Sequence, residues 1–119
     1  MHNQRSLKQY IEKMKRVILE SPYAGDIERN VKYARACVRD SLLRDEAPIA
    51  SHLLYTQEGI LKDQIPVERM WGINAGLAWK EVAELHVFYI DYGYSPGMKY
   101  ARQYATEQNI EIEERSLYD

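Results

Sequence analysis

Two loops in this chain combine residue types that can hold an anion or a sugar. In the first, Ser21-Pro22-Tyr23-Ala24-Gly25 leads into a helix start that bears Arg29 and Asn30. Free backbone N–H groups, a positive helix end and a guanidinium can converge there on a phosphate or a ribose. An ordinary strand-to-helix turn has the same composition. Neither GxGxxG nor GxxxxGK[ST] occurs, which excludes the classical dinucleotide and P-loop sites. The second loop, Asp91-Tyr92-Gly93-Tyr94, puts a carboxylate at a strand end and runs through Ser95-Pro96-Gly97 into a helix that carries Met98 and Lys99. An aspartate so placed accepts hydrogen bonds from sugar hydroxyls, as acidic residues at strand ends do for ribose, or it caps the adjoining turn.

The remaining candidates are single residues. His52 follows an apolar segment and can contact a ligand, shuttle a proton or serve the structure alone. His86 lies in an apolar run and reads as core, and His2 is terminal, so the three histidines do not form a metal cluster. Trp71 is a candidate for touching a ligand or a neighbouring subunit, against the commoner role of packing. Glu58, Asp63 and Glu68 surround a middle loop, where carboxylates are ordinarily solvated. Cys37, the only cysteine, sits in a helical pattern and reads as a small buried hydrophobe, so neither a disulfide framework nor a cysteine metal site can be built. No cofactor is called for.

The elements that must position these residues emerge from periodicity. Leu7, Ile11 and Met14 repeat at helical spacing, which predicts a short amphipathic helix over an N-terminal appendage, residues 1–15, ahead of a domain spanning 16–119. Val17-Ile18-Leu19 reads as a buried strand closed by the first loop, with Asp26 placed to cap the next helix. Ile27, Val31, Ala34, Val38 and Leu42 mark one face of that helix, which ends near Arg44. Ala47 to Tyr55 reads as a second strand running into a loop, and Pro48 confines it to an edge or a first position. A helix opens at Pro66 with an inward stripe of Val67, Met70, Ile73 or Asn74, Leu77 and Val82. Leu85 to Ile90 is the best central strand. Met98, Ala101 and Ala105 face inward from the next helix, and Ile110 to Glu113 alternates as a half-exposed last strand. Strands alternating with helices predict an α/β, Rossmann-like three-layer domain with a mostly parallel sheet of four to five strands. Ligands of such sheets collect beyond the carboxyl ends of the strands, which selects the loops 21–29, 51–55 and 91–99.

Composition narrows the partners. The chain has 119 residues, enough for one core, and 16 Lys+Arg against 18 Asp+Glu without a block of like charge. A nucleic-acid polymer is therefore not the expected partner. No apolar stretch approaches the roughly 18 residues of a membrane span, and Met1 to Lys15 lacks the apolar core of a signal peptide, so a cytoplasmic location without membrane partners is expected. Ten Tyr and two Trp against one Phe favour rings with a polar edge, which suit pockets and subunit interfaces.

Val87-Phe88-Tyr89-Ile90-Asp91 followed by Gly97-Met98-Lys99 resembles the strand, acidic residue and helix start of the nucleoside 2-deoxyribosyltransferase-like family, and Ser21-Pro22-Tyr23 sits where that family holds its first pocket loop. The wider pattern ESPYAGDIERNVKYAR, ASHLLYTQ, GINAGLAW and SPGMKYA is similar to a branch of small phage and bacterial domains. The resemblance implies a pocket for a nucleotide or nucleoside. In it Lys99 and Arg29 are the cationic groups, Asp91 meets sugar hydroxyls and Tyr23 or Tyr55 stacks on a base. It also implies a homo-oligomer, since the family's enzymes complete their pockets with a neighbour's residues. Those enzymes attack the anomeric carbon with a glutamate, and the matching position here is Lys99, which as a cation cannot serve as that carboxylate.

Three functions remain open on these grounds. One is a nucleotide-binding domain without turnover, for instance a phage protein that sequesters a nucleotide signal used in host defence. Another is an N-glycoside hydrolase or deoxyribosyltransferase in which Asp91, Glu58 or Glu68 replaces the missing glutamate. The third is an oligomeric interaction module built on the exposed aromatic rings.

Overall fold

The computed structural model describes residues 6–118, so His2 lies outside the described residues. A short helix α1 (Leu7–Lys13) precedes β1 (Lys15–Glu20), α2 (Ile27–Leu43), β2 (Glu46–Ile49), a single helical turn α3 (Ser51–Leu54) and α4 (Pro66–Leu77), which runs into a 3-10 turn at Ala78–Glu81. Then come β3 (Leu85–Tyr89), α5 (Pro96–Glu107) and β4 (Ile112–Arg115). All strands are parallel, in the spatial order β2-β1-β3-β4.

Successive residues of a strand point to opposite faces, and the two halves of the core obey that alternation. Leu85, Val87 and Tyr89 of β3, with Val17 and Leu19 of β1, pack against Tyr33 and Cys37 of α2. Phe88 packs on the opposite face against Leu77 of α4 and Met98 and Ala101 of α5. Helices thus cover both faces, and the stretches buried between them, Val17-Ile18-Leu19 of β1 and all of β3, are apolar apart from His86, as the inner part of a parallel sheet requires. Each large apolar side chain fully buried here contributes about 1.5–3 kcal/mol. The architecture is the Rossmann-like three-layer α/β domain that the alternation of elements predicts, with four strands.

Helix starts are set by local chemistry. The Asp26 carboxylate accepts the Arg29 N–H at 3.2 Å to open α2, and the Ser95 hydroxyl accepts the Met98 N–H at 3.2 Å to open α5. Pro66 and Pro96 stand at first-turn positions where no hydrogen-bond donor is needed. A buried pair ties the two edge strands together: the Arg115 guanidinium donates to both Glu46 carboxylate oxygens at 2.8 and 2.7 Å, and Ser41 donates to the same carboxylate at 2.7 Å.

Several elements depart from expectation. The segment from Ser51 to Leu54 is a helical turn, not the end of a strand, so β2 stops at Ile49. The last strand lies two residues further on than Ile110 to Glu113. In α2 the buried face is Asn30, Tyr33, Ala34, Cys37 and Ser41, while Ile27 and Leu42 are about half exposed at 47 and 50%. In α4, Ile73 and Leu77 face the core, but Val67 and Met70 face outward and Val82, beyond the helix, is also exposed. Trp71 and Trp79 are exposed as well.

Candidate functional site

From β1 the chain crosses to β2 on one side, and from β3 it crosses to β4 on the other, so the strand order reverses between β1 and β3. The helices that succeed these strands, α2 and α5, lie on opposite faces and leave a crevice beyond the strand ends. A cavity of about 70 Å³ occupies that crevice. Glu20 and Ser21 at the end of β1 and His52 of α3 contribute its polar groups, while Ile73 of α4 and Met98 and Ala101 of α5 supply apolar wall. Tyr23, Thr56, Leu61, Asp63 and Arg69 line both this cavity and a broader groove of about 530 Å³ outside it. The two spaces form one cleft, with a narrow inner end and an open mouth.

The polar groups are held in defined pairs. His52 Nε2 lies 2.6 Å from Ser21 Oγ. Burial depresses the His52 pKa below the ordinary imidazole value, against the opposing pull of the Glu20 charge, so the ring is neutral at pH 7. A neutral imidazole has one donor and one acceptor, and the buried Nδ1 has no protein partner, so one half of the ring's hydrogen-bonding capacity is unmet whichever tautomer forms. Behind Glu20, the fully buried His86 places Nε2 3.1 Å from Glu20 Oε2. The Glu68 carboxylate accepts the Lys62 N–H at 3.0 Å. The side chains of Asp63 and Arg69 have no partner among the described residues.

Of the residues singled out in the sequence, Ser21, Tyr23, His52, Tyr55, Ser95, Gly97 and Met98 line the inner cavity, and Gly25, with φ +101°, lines the outer groove. Others serve the scaffold. Pro22 is buried outside the lining, and the Asn30 amide donates to the carbonyls of Tyr23 and Ala24 at 2.9 and 3.1 Å, which fixes the first loop. Arg29 lies over the Tyr92 ring at 4.0 Å and donates to Asn30 Oδ1, away from the cavity.

Asp91 is the main correction. Its carboxylate accepts the N–H groups of Leu117 and Tyr118 and the hydroxyls of Ser116 and Tyr33, so it staples the C-terminal segment to the sheet and has no place in the lining. These donors hold its pKa well below the usual carboxylate range despite the opposing effect of burial. Lys99 is exposed and lines a separate shallow depression beside Tyr94 and Arg102, because the helix phase that turns Met98 and Ala101 inward turns Lys99 out. Trp71 is 57% exposed and also lies outside the cavity.

Glu20 and Arg69 escaped the reading of the sequence. The available signal for Glu20 was a charged residue ending a buried apolar strand at the switch point. For Arg69 it was a cation one turn into the helix after the middle loop. Among the described residues no cluster of three His, Cys, Asp or Glu side chains could hold a metal ion, and no helix is long and apolar enough to cross a membrane. The sequence model of a family described as a domain of unknown function, DUF7768, matches residues 15–115. No curated protein and no solved structure matches the chain.

Proposed function

Since the chain belongs to the DUF7768 family, whose description assigns no activity, we propose from its geometry that the domain binds a nucleoside or its monophosphate in the switch-point cleft. The observation that carries this reading is the cleft itself: a narrow cavity at the carboxyl ends of β1 and β3 that opens into a groove. The inner end suits one flat base, held between apolar wall and polar floor, and the mouth suits the sugar and any phosphate. Tyr23 and Tyr55 provide aromatic surface for the base. Asp63 and Glu68 offer acceptors to sugar hydroxyls, and Arg69, with Lys62 beside it in the groove, offers charge to a phosphate. Without turnover, such a domain would sequester its ligand.

The test is a thermal-shift series with the common nucleosides and their 5′-monophosphates, with calorimetry on those that stabilise the fold. A ligand present at 100 times its Kd raises stability by about 2.7 kcal/mol, which a melting curve resolves easily. Tyr55→Ala is expected to weaken binding at least fivefold, and an absence of any saturable shift across the series would refute the reading.

A second reading is favoured by one observation: the Glu68 carboxylate lies in the cleft, whereas Asp91 and Lys99 do not. Glu68 acting on the anomeric carbon would make the protein an N-glycoside hydrolase or deoxyribosyltransferase. Chromatography of the same mixtures separates the two readings, since free base appears only under the second and must disappear in Glu68→Gln.

A further inference from the structure

Glu20 ends β1 with a side chain only 14% exposed. One of its oxygens, Oε2, lies 3.1 Å from His86 Nε2; the other has no donor among the described residues. The residue lines the inner cavity beside Ser21 and His52, beneath the apolar side chains of Ile73 and Met98. A carboxylate oxygen that no protein donor occupies, on a residue lining the cavity, is an acceptor open to the N–H groups of a ligand.

We propose that Glu20 reads the pairing edge of guanine, so that the cleft takes a guanine nucleoside or nucleotide; the inference rests on the nucleoside reading of the cleft. A carboxylate offers acceptors only. Guanine presents two adjacent donors, N1–H and the exocyclic amino group, that fit the two oxygens side by side. Adenine and cytosine each place a ring-nitrogen acceptor next to their amino group, and uracil flanks its single N–H with two carbonyls, so each sets lone pair against lone pair. Hypoxanthine keeps N1–H and lacks the amino group. The buried His86 behind Oε2 fixes the direction of the carboxylate, as a supporting partner should.

Calorimetric titration with guanosine, inosine, adenosine, cytidine and uridine tests the inference on the unaltered protein. Two charge-assisted hydrogen bonds predict that guanosine binds about 10–100-fold more tightly than adenosine, with inosine between. Glu20→Gln, checked for a native melting curve, is expected to lose that preference, because an amide sets one donor beside one acceptor and so matches an edge of adenosine, cytidine and uridine as well as the N1–H and carbonyl edge of guanosine. Should Glu20→Gln fail to fold, Glu20→Asp keeps the charge, withdraws it by one methylene and should lower guanosine affinity more than adenosine affinity, narrowing the ratio between them. Equal or tighter binding of adenosine, cytidine or uridine by the unaltered protein would overturn the assignment to guanine and leave the nucleoside reading standing. Binding of none of the five would overturn both.

Discussion

Gly76 is where the fold makes its closest approach next to the cleft. The residue is buried in α4, and a Cβ at this position would lie 2.6 Å from Ser51 Cβ and closer still to Ser51 Oγ. Rotation about χ1 can move the hydroxyl, but only a backbone shift can move Cβ. Ser51 opens α3, its carbonyl accepts the Tyr55 N–H at 2.9 Å, and its neighbour His52 is tied to Ser21. Replacing Gly76 with alanine gains up to about 1 kcal/mol of helix propensity. Against this, overpacking costs about 1–3 kcal/mol. The net expectation is a loss of about 1 kcal/mol, or roughly 3–6 °C in Tm for a chain of this length. Urea unfolding monitored by circular dichroism measures it, with an unchanged m-value confirming that only the folded state has moved. Ser51→Gly in the Gly76→Ala background deletes the obstructing atoms, so the double variant should regain most of the loss and the coupling energy should approach 1 kcal/mol. Displacement of α3 also carries His52 away from Ser21, so Gly76→Ala should weaken ligand binding beyond its effect on stability. A Gly76→Ala protein as stable as the parent, or more so, would refute the close packing of α3 on α4.

Four further outcomes are expected. Arg115→Met strips the buried Glu46 carboxylate of its cation, both side chains being less than a tenth exposed, and should cost about 3–5 kcal/mol in urea unfolding, while the apolar pair Arg115→Met with Glu46→Leu should recover most of it. Asp91 has a folded pKa below its unfolded value of 3.8, so its contribution is complete above that pH and is lost as pH falls further; Asp91→Asn should flatten the acid limb of the stability curve below pH 4. His52 is shifted the same way but is a base: below its unfolded value of 6.5 the unfolded chain takes up a proton that the folded chain refuses, so stability falls as pH drops from 7, and His52→Gln should reduce that slope. Burial pushes the Cys37 thiol up to about 12, so it should resist Ellman's reagent at pH 8 and react on unfolding.

The order of elements was legible because the two inner strands carry compact apolar runs, Val17 to Leu19 and Leu85 to Tyr89, and the long helices open at recognisable signals, the caps Asp26 and Ser95 and the first-turn Pro66. What periodicity missed is buried polarity. The inward face of α2 was read from Ile27, Val31, Ala34, Val38 and Leu42; Ala34 and Val38 do meet the core, yet the chain also buries Asn30 and Ser41, whose hydrogen bonds to Tyr23, Ala24 and Glu46 offset their desolvation. An apolar count cannot register residues buried by virtue of a partner distant in the chain. The strand-to-helix change at Ser51 is equally hidden, since Ala50 to Tyr55 has the composition of either, and the turn packs against Gly76, a partner distant in the chain. At the site, the loops after β1 and β3 were found from topology, while the directions of individual side chains were not. Asp91 stands at the predicted strand end but is consumed by donors from Ser116 to Tyr118, an interaction set by the path of the C-terminal segment.

Moving Lys99 out of the cleft changes the chemistry the cleft can accept. With Lys99 and Arg29 facing elsewhere, the inner cavity holds the carboxylates of Glu20, Asp63 and Glu68 against the single guanidinium of Arg69 and a neutral His52. Such an acidic site attracts hydroxyl and N–H donors and repels a chain of phosphates. A monophosphate can still meet Arg69 and Lys62 at the mouth, where water screens the pair and limits the gain to about 1 kcal/mol, or about fivefold in affinity. Arg69→Ala should therefore erase a small advantage of the 5′-monophosphate over its nucleoside and leave nucleoside affinity nearly unchanged. Lys99→Ala should alter neither. Were Lys99→Ala to weaken monophosphate binding more than Arg69→Ala does, the phosphate would have to lie on the outer side of α5 and the cleft would lose its claim to the ligand.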